Sequence, residues 1–233
     1  MLSSHEQERY NRHLIIENFG LQAQEKLKHA SVLVVGAGGL GCPVIQYLTA
    51  AGVGRIGIAD ADVVSLSNLQ RQILFTEAEI GQSKAHLVAQ KMQALNVHVE
   101  FNIVNQFITQ ENVNQILNPY DVIIGATDNF VSRQLIDHYT NAHQKPFVHG
   151  SILEFCGQVA TFNHLGGSSY AQLFPQTGNP TTLPLGVVGA LPGIIGSLMA
   201  LETIKIITQI GEPLTHHLLL YDGLTNTTIK LKR

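Results

Sequence analysis

Val32-Leu33-Val34-Val35-Gly36-Ala37-Gly38-Gly39-Leu40-Gly41 decides the fold of this chain. Four consecutive apolar residues read as a strand buried on both faces, as strands of a parallel sheet are. The run passes directly into Gly-x-Gly-x-x-Gly, and Pro43 to Ala51 then reads as a helix. Strand, glycine turn and helix in that order build a nucleotide phosphate site. Glycines at 36, 38 and 41 permit a tight turn and close backbone approach, so phosphate oxygens can meet the helix N-terminus. Asp60 follows the next apolar run, Ile56 to Ala59, near the roughly 20-residue offset expected of a carboxylate on ribose hydroxyls. Alone, the motif says that a nucleotide binds, most often a dinucleotide.

The rest of the chain extends the same pattern. Ser3 or Ser4 can cap a short N-terminal helix through Glu8, Arg9 and Tyr10, and a second covers Leu21 to Lys28. A polar connection from Asp62 to Gly81 precedes a helix from about Gln82 to Leu95. Val97-His98-Val99-Glu100-Phe101 alternates and reads as a strand. A helix near Gln110 to Leu117, a buried strand at Val122 to Ala126, a helix from Asn129 to about Ala142 and a strand at Phe147 to Gly150 follow. This alternation argues for a mainly parallel sheet flanked by helices, a Rossmann-like α/β fold. Beyond it the pattern changes. Gly157 to Phe162 reads as a strand, Gly166 to Leu185 as a Gly/Pro/Ser/Thr-rich loop, and Leu218 to Leu231 as an antiparallel hairpin turning at Asp222-Gly223. The sheet is therefore expected to be mixed, with antiparallel C-terminal strands, in one domain.

The chain has 233 residues, 45% of them hydrophobic and 13% charged, enough for a sizeable core. A net charge of −3 gives no electrostatic reason to expect a nucleic-acid partner. No basic segment followed by an apolar run opens the sequence, and two cysteines make no disulfide framework, so the expected compartment is the reducing cytoplasm. Leu183 to Leu201 carries no charge over 19 residues, but Pro184 and Pro192 interrupt it. It reads as a loop and a buried core helix from about Gly193 to Ile210, not a membrane span. Cys42 reads as a small packed residue, Cys156 has no evident partner, and the eleven histidines show no metal-ligand spacing.

After the second strand the sequence runs Asp60-Ala61-Asp62-Val63-Val64-Ser65-Leu66-Ser67-Asn68-Leu69-Gln70-Arg71-Gln72. Joined to Gly36–Gly41, it resembles the ubiquitin-activating-type adenylyltransferases, the ThiF/MoeB/HesA group, whose members include the molybdopterin-synthase adenylyltransferases. Arg9-Tyr10-Asn11-Arg12 upstream, Gly81-Gln82-Ser83-Lys84, Ala126-Thr127-Asp128-Asn129 and Tyr221-Asp222-Gly223 carry the same resemblance. The glycine motif alone is weak evidence; its combination with Ser-Asn-Leu-Gln-Arg-Gln is highly specific.

The resemblance implies ATP-dependent activation of a small ubiquitin-like sulfur carrier for molybdopterin or thiamine synthesis. The C-terminal glycine carboxylate of the carrier, a protein ending in Gly-Gly, attacks the α-phosphorus of ATP and releases pyrophosphate. It further implies that Gly36, Gly38, Gly39, Gly41, Asp60, Asp62, Ser67, Asn68, Leu69, Gln70, Arg71, Gln72, Lys84, Asp128 and Asn129 form the nucleotide site. Within that set Asp60 holds the ribose, Gly39 admits the backbone to the nucleotide, and Asn68, Arg71 and Lys84 contact phosphates. Asp128 helps hold Mg²⁺. Arg12 reaches the partner's ATP site in a homodimer, so that Arg12, Arg71, Lys84 and Asp128 form the catalytic set. A persulfide donor can supply the sulfur. One adenylation domain, 1–233, is expected: a helical arm 1–29, a nucleotide-binding core 30–150, and a part 151–233 with antiparallel strands, carrier-binding loop and C-terminal helix.

The chain also departs from the family. Many relatives bind zinc through two Cys-x-x-Cys pairs; the first place reads Ser169-Tyr170-Ala171-Gln172 and the second falls beyond Arg233, so no zinc site is expected. Thr177 to Gly189, where some relatives keep a cysteine for a covalent carrier link, has none. Other readings stay open: adenylation of a different carboxyl substrate such as a peptide, a nicotinamide-dependent oxidoreductase, or a non-catalytic subunit of a heterodimer. Asp60 and Asp62 could end a strand and cap a turn, Arg71 and Lys84 could be surface charges, and Asn129 could N-cap a helix.

Overall fold

Every residue of the first strand, β1 (Ser31–Val35), is buried, as its unbroken apolar sequence demands. Val32 and Val34 face one layer of helices, Leu33 and Val35 the other, because successive side chains leave a strand on opposite faces. The structure, a computed structural model, describes residues 1–175 and 186–233. Three helices precede β1: α1 (Ser4–Arg9), α2 (Asn11–Leu14) and α3 (Gly20–His29). After it come α4 (Gly41–Ala51), β2 (Arg55–Ala59), α5 (Lys84–Leu95), β3 (Glu100–Val104), α6 (Val113–Leu117) and β4 (Val122–Gly125). The chain continues through α7 (Phe130–Ala142), β5 (Phe147–Leu153), β6 (Cys156–Phe162), α8 (Tyr170–Leu173), α9 (Leu191–Thr208), β7 (His217–Asp222) and β8 (Thr227–Lys232).

The strands form one sheet in the order β3-β2-β1-β4-β5-β6-β7-β8. Strands β3 to β5 in that row are parallel, and β6, β7 and β8 join antiparallel. The expected mixed sheet is therefore present. The chain walks outward from β1 through β2 to β3, then returns to β4 on the other side of β1. Strand order reverses between β1 and β4, and such a switch point opens a crevice at the carboxyl ends of the strands. One face is covered by α3, α4, α5 and α9, through Leu27, Ile45, Leu48, Val88 and Met199. The other is covered by α6, α7 and α8, through Leu117, Ile136, Tyr139 and Tyr170.

Several boundaries differ from expectation, each for a local reason. The alternating Val97–Phe101 is not the third strand; β3 begins at Glu100 and runs to Val104. Asn96 makes the difference: its side chain accepts the His98 N–H (3.2 Å) and its carbonyl the Val99 N–H, which turns the chain before pairing with β2 begins. The reading also omitted α2 and α8. Four-residue helices leave no periodicity to detect, but α8 carries a capping box in which Ser169 Oγ accepts the Gln172 N–H and Gln172 Oε1 accepts the Ser169 N–H. The end of the Gly/Pro/Ser/Thr-rich stretch, 176–185, lies outside the described residues. At the C-terminus the predicted hairpin forms, with a longer connection: Asp222 accepts bonds from the Leu224 N–H and Thr225 hydroxyl, and Asn226 takes a left-handed conformation.

Among the described residues, α9 alone is long and apolar enough to cross a membrane. It is a core helix, packed on α3, α4, β5 and β6. It starts two residues earlier than expected because Pro192 stands in its first turn, where a missing N–H costs nothing. Buried Glu202 accepts the Leu214 N–H (2.7 Å) and pins the chain that leads to β7.

His149 on β5 is fully buried among Phe147, Phe162, Tyr170 and Phe174, and neither ring nitrogen has a partner among the described residues. Burial, reinforced by the charges of Arg133 and Arg233, pushes its pKa well below the ordinary 6.5. The unfolded chain takes up this proton as pH falls through 6.5 and the native state does not, so stability declines on acidification from that point. Urea unfolding at pH 7.0 and 5.5 is expected to show this loss, with His149→Phe removing about 1 kcal/mol of it. Equal pH dependence in the two proteins would refute the assignment.

Candidate functional site

The crevice at the switch point is a cavity of about 350 Å³ at the carboxyl ends of β1, β2, β3 and β4. The ladder continues one bond beyond each strand: Gly36 N–H to the Ala59 carbonyl, Ala126 N–H to Val35, and Asp60 N–H to Val104. These bonds bring four loops to one rim.

The glycine turn owes its shape to close contacts. Gly36 has φ +100°, and a Cβ there would lie 2.7 Å from the Ala126 carbonyl oxygen. A Cβ on Gly41 would meet the Gly36 carbonyl oxygen at 1.9 Å, so α4 can dock only with glycine there. Gly38 differs: only the Gln72 side chain stands near, at 3.4 Å. Its open flank faces the cavity, as a phosphate cradle requires. A side chain at Gly39 would press on Pro192 at 3.2 Å.

Asp60 accepts the Ala37 N–H on Oδ2 (2.6 Å) and the Asp62 N–H on Oδ1 (2.8 Å). Burial raises its carboxyl above the usual value, opposed by those two N–H groups and by Lys84. Each carboxylate oxygen keeps a lone pair for a ligand hydroxyl. Lys84 is nearly fully buried at the start of α5; its Nζ reaches Asp62 Oδ2 at 3.1 Å and its N–H the Asp62 carbonyl. The polar connection thus closes on itself and aims the ammonium into the cavity wall. Arg71, half-buried, donates to the Ser67 carbonyl (3.0 Å). Asn68 also lines the cavity, and its Oδ1 accepts the Ser65 N–H. Gln72 is buried, its side-chain nitrogen stands beside Gly38, and its Oε1 has no partner among the described residues.

Asp128 is exposed on the rim and makes no hydrogen bond or ion pair within the described residues. One free carboxylate beside basic side chains fits Mg²⁺, which takes one or two protein carboxylates and substrate phosphates. Asn129 lines the cavity too, and also caps α7 by accepting the Ser132 N–H, so the capping reading holds alongside. At the place of the first cysteine pair of the family, Ser169 and Gln172 spend their side chains capping α8; among the described residues no group of three or more His, Cys, Asp or Glu is arranged to hold a metal ion.

The other expected residues fall elsewhere. Gly41 lies beneath the turn, Ser67 is exposed and bonded to Ser65, and Leu69 packs against the core. Gln70 turns away and donates to the Val187 carbonyl (3.4 Å). Arg12 is exposed on α2, outside the cavity. Cys42 is buried and its thiol pushed up to about 12, chiefly by burial, which leaves it a packing residue. Sequence reasoning missed Gln106, Phe107 and Ile108, which follow β3 on the rim, and Ser132, Arg133 and Ile152. With β3 ending at Val104 rather than Phe101, residues 106–108 would have been found where Asp60 is found after β2.

The ThiF family model matches residues 10–233. A sulfur carrier protein adenylyltransferase of Thermus thermophilus is 46% identical over 97% of this chain and 87% of its own length. Adenylyltransferase and sulfurtransferase MOCS3 of Anopheles gambiae is 45% identical over 99% of this chain, which spans 53% of that protein. In fold, the chain is similar to E. coli MccB, with a TM-score of 0.87 at 19% identity over 99% of this chain and 72% of the other.

The three glycines of the turn should separate by experiment. Gly36→Ala and Gly41→Ala must push backbone apart and are expected to lower Tm by about 3–10 °C. Gly38→Ala is expected to keep Tm within about 2 °C while weakening nucleotide binding in calorimetry. A Gly38→Ala protein that binds nucleotide normally would refute the cradle.

Proposed function

The chain belongs to the ThiF family, and from that premise we propose that it adenylates the C-terminal glycine carboxylate of a ubiquitin-like sulfur carrier ending in Gly-Gly. One observation carries the reading: Asp60 and Arg71 from the β2–α5 connection, Lys84 from the start of α5 and Asp128 from the β4–α7 turn line one cavity at the switch point. The names of the Thermus and Anopheles relatives support a sulfur carrier as substrate. The whole chain serves as one adenylation unit: arm 1–29, nucleotide core 30–150 and carrier-facing part 151–233.

The attacking carboxylate is ionised at neutral pH, so no general base is needed. The difficulty is to bring two anions together and to stabilise charge on phosphate oxygens. Asp60 accepts ribose hydroxyls, and Gly38 and Gly39 admit the phosphates. Asn68, Arg71 and Lys84 hold the phosphates, with Lys84 kept in register by Asp62. Phe107, exposed on the same rim, and Ile108 offer apolar surface for the base. Mg²⁺, when bound, neutralises phosphate charge and orients the leaving pyrophosphate; Asp128 is its protein ligand. Arg71, Lys84 and Asp128 together suit a triphosphate and Mg²⁺ better than a nicotinamide dinucleotide.

The protein works without zinc, in the cytoplasm, as a homodimer in which Arg12 completes the partner's site. Arg12 supports this by its exposure and by exposed Ile15 and Ile16 on the next turn. A persulfide-bearing donor then provides the sulfur. Pyrophosphate release from Mg·ATP should require one carrier from a Gly-Gly panel and fall about 100-fold or more in Asp128→Ala. Mixing Arg12→Ala with Asp128→Ala should restore about a quarter of the wild-type rate through hybrid dimers. Release without a carrier sinks the substrate assignment; no complementation sinks the shared site.

A further inference from the structure

Arg133 stands where stability alone would not put a cation. It lies in the first turn of α7, which has no acidic residue there, and the helix dipole opposes positive charge at that end. It is half-buried in the cavity wall, and no carboxylate of the described residues lies within ion-pair distance. Its hydrogen bonds go to one atom: Nε and Nη2 both donate to the Thr127 carbonyl, at 3.1 and 2.8 Å.

That carbonyl lies past the end of β4, where no backbone N–H of the described residues donates to it. Thr127 is held at its other end too, its Oγ1 accepting the Asn129 N–H at 3.1 Å. Asn129 in turn caps α7 through the Ser132 N–H at 3.2 Å. Between these two fixed residues stands Asp128, with no hydrogen bond of its own among the described residues.

We propose that Arg133 is a positioning residue for Asp128, its guanidinium fixing the Thr127 carbonyl so that the turn presents the Asp128 carboxylate to the nucleotide-bound divalent cation. The assignment rests on the adenylation reading of the cavity. Without the two bonds the Thr127 carbonyl loses its side-chain anchor, the turn is held only through Thr127 Oγ1 and Asn129, and rotation of the Thr127–Asp128 peptide plane swings the carboxylate that follows it. Mg²⁺ demands near-octahedral geometry at about 2.1 Å, so it registers such a swing where phosphate binding by Lys84 and Arg71 does not.

The test separates hydrogen bonding from charge. In Arg133→Gln the amide nitrogen occupies the same position along the side chain as Arg133 Nε, so one bond to Thr127 survives and the charge is lost. Arg133→Met has similar length and no donor. Calorimetry on the full chain measures affinity for an ATP analogue non-hydrolysable between the α- and β-phosphates, in Mg²⁺ and in EDTA. The ratio of the two reads the contribution of the metal. Arg133→Met is expected to lower that ratio about tenfold and Arg133→Gln by about threefold or less, as loss of an outer-shell partner does. Affinity in EDTA should stay within about twofold of wild type for both.

A fall in EDTA affinity with an unchanged ratio would make Arg133 an anion ligand and overturn the proposal, as would Gln behaving no better than Met. If Arg133→Met does not fold, Arg133→Gln decides alone: a preserved ratio supports the proposal and a tenfold fall overturns it. Failure of the wild type to bind the analogue at all would strike the adenylation reading itself, and this assignment with it.

Discussion

The passage of Gly41 over the Gly36 carbonyl is the contact on which the molecule turns. With 1.9 Å between that oxygen and any Cβ at 41, α4 can approach β1 only because residue 41 has no side chain. The approach sets the helix over the sheet, and α4 then carries α9 and α5 with it through the Ile45 and Leu48 core. The same turn leaves Gly38 open towards the crevice. Packing and recognition are served by neighbouring glycines of one motif, one closed against backbone and one left bare.

Charge is arranged around that opening with little waste. Lys84, almost wholly buried, is tolerated because Asp62 sits on it, and Asp60 is held by two backbone N–H groups that offset its burial. Arg71 bonds only a carbonyl, and Asp128 bonds nothing within the described residues. The paired charges fix the frame, and Arg71 and Asp128 stay without an ion-pair partner among the described residues on the wall of the same cavity. An ion pair with one exposed partner, as Asp62 is, adds little stability by itself, so the Lys84–Asp62 pair is better understood as orientation than as glue.

Most of the parallel half of the sheet was legible because its signal is local. Val32–Val35, Ile56–Ala59 and Val122–Gly125 are apolar runs that no solvent-exposed element could carry, and Gly36–Gly41 names its own turn. What escaped depended on partners distant in sequence. Alternation at Val97–Phe101 imitates a strand, yet the Asn96 side chain folds it into a turn, and the error concealed Phe107 and Ile108 on the rim. Arg133 escaped because its partner is a carbonyl, which has no sequence signature. Gln70 was drawn into the site by motif, but its neighbours turn it to Val187 on the far side of the loop.

Pro192 rests against Gly39, so the turn that meets the nucleotide and the first turn of the long helix α9 touch through their smallest surfaces. A side chain gained at 39 obliges Pro192 to give by a few tenths of an ångström. The two positions, 153 residues apart in sequence, are therefore mechanically joined: what residue 39 can carry depends on how far Pro192 can yield. A displacement at the head of α9 is then felt directly at the glycine turn, and one at the turn is felt by the helix.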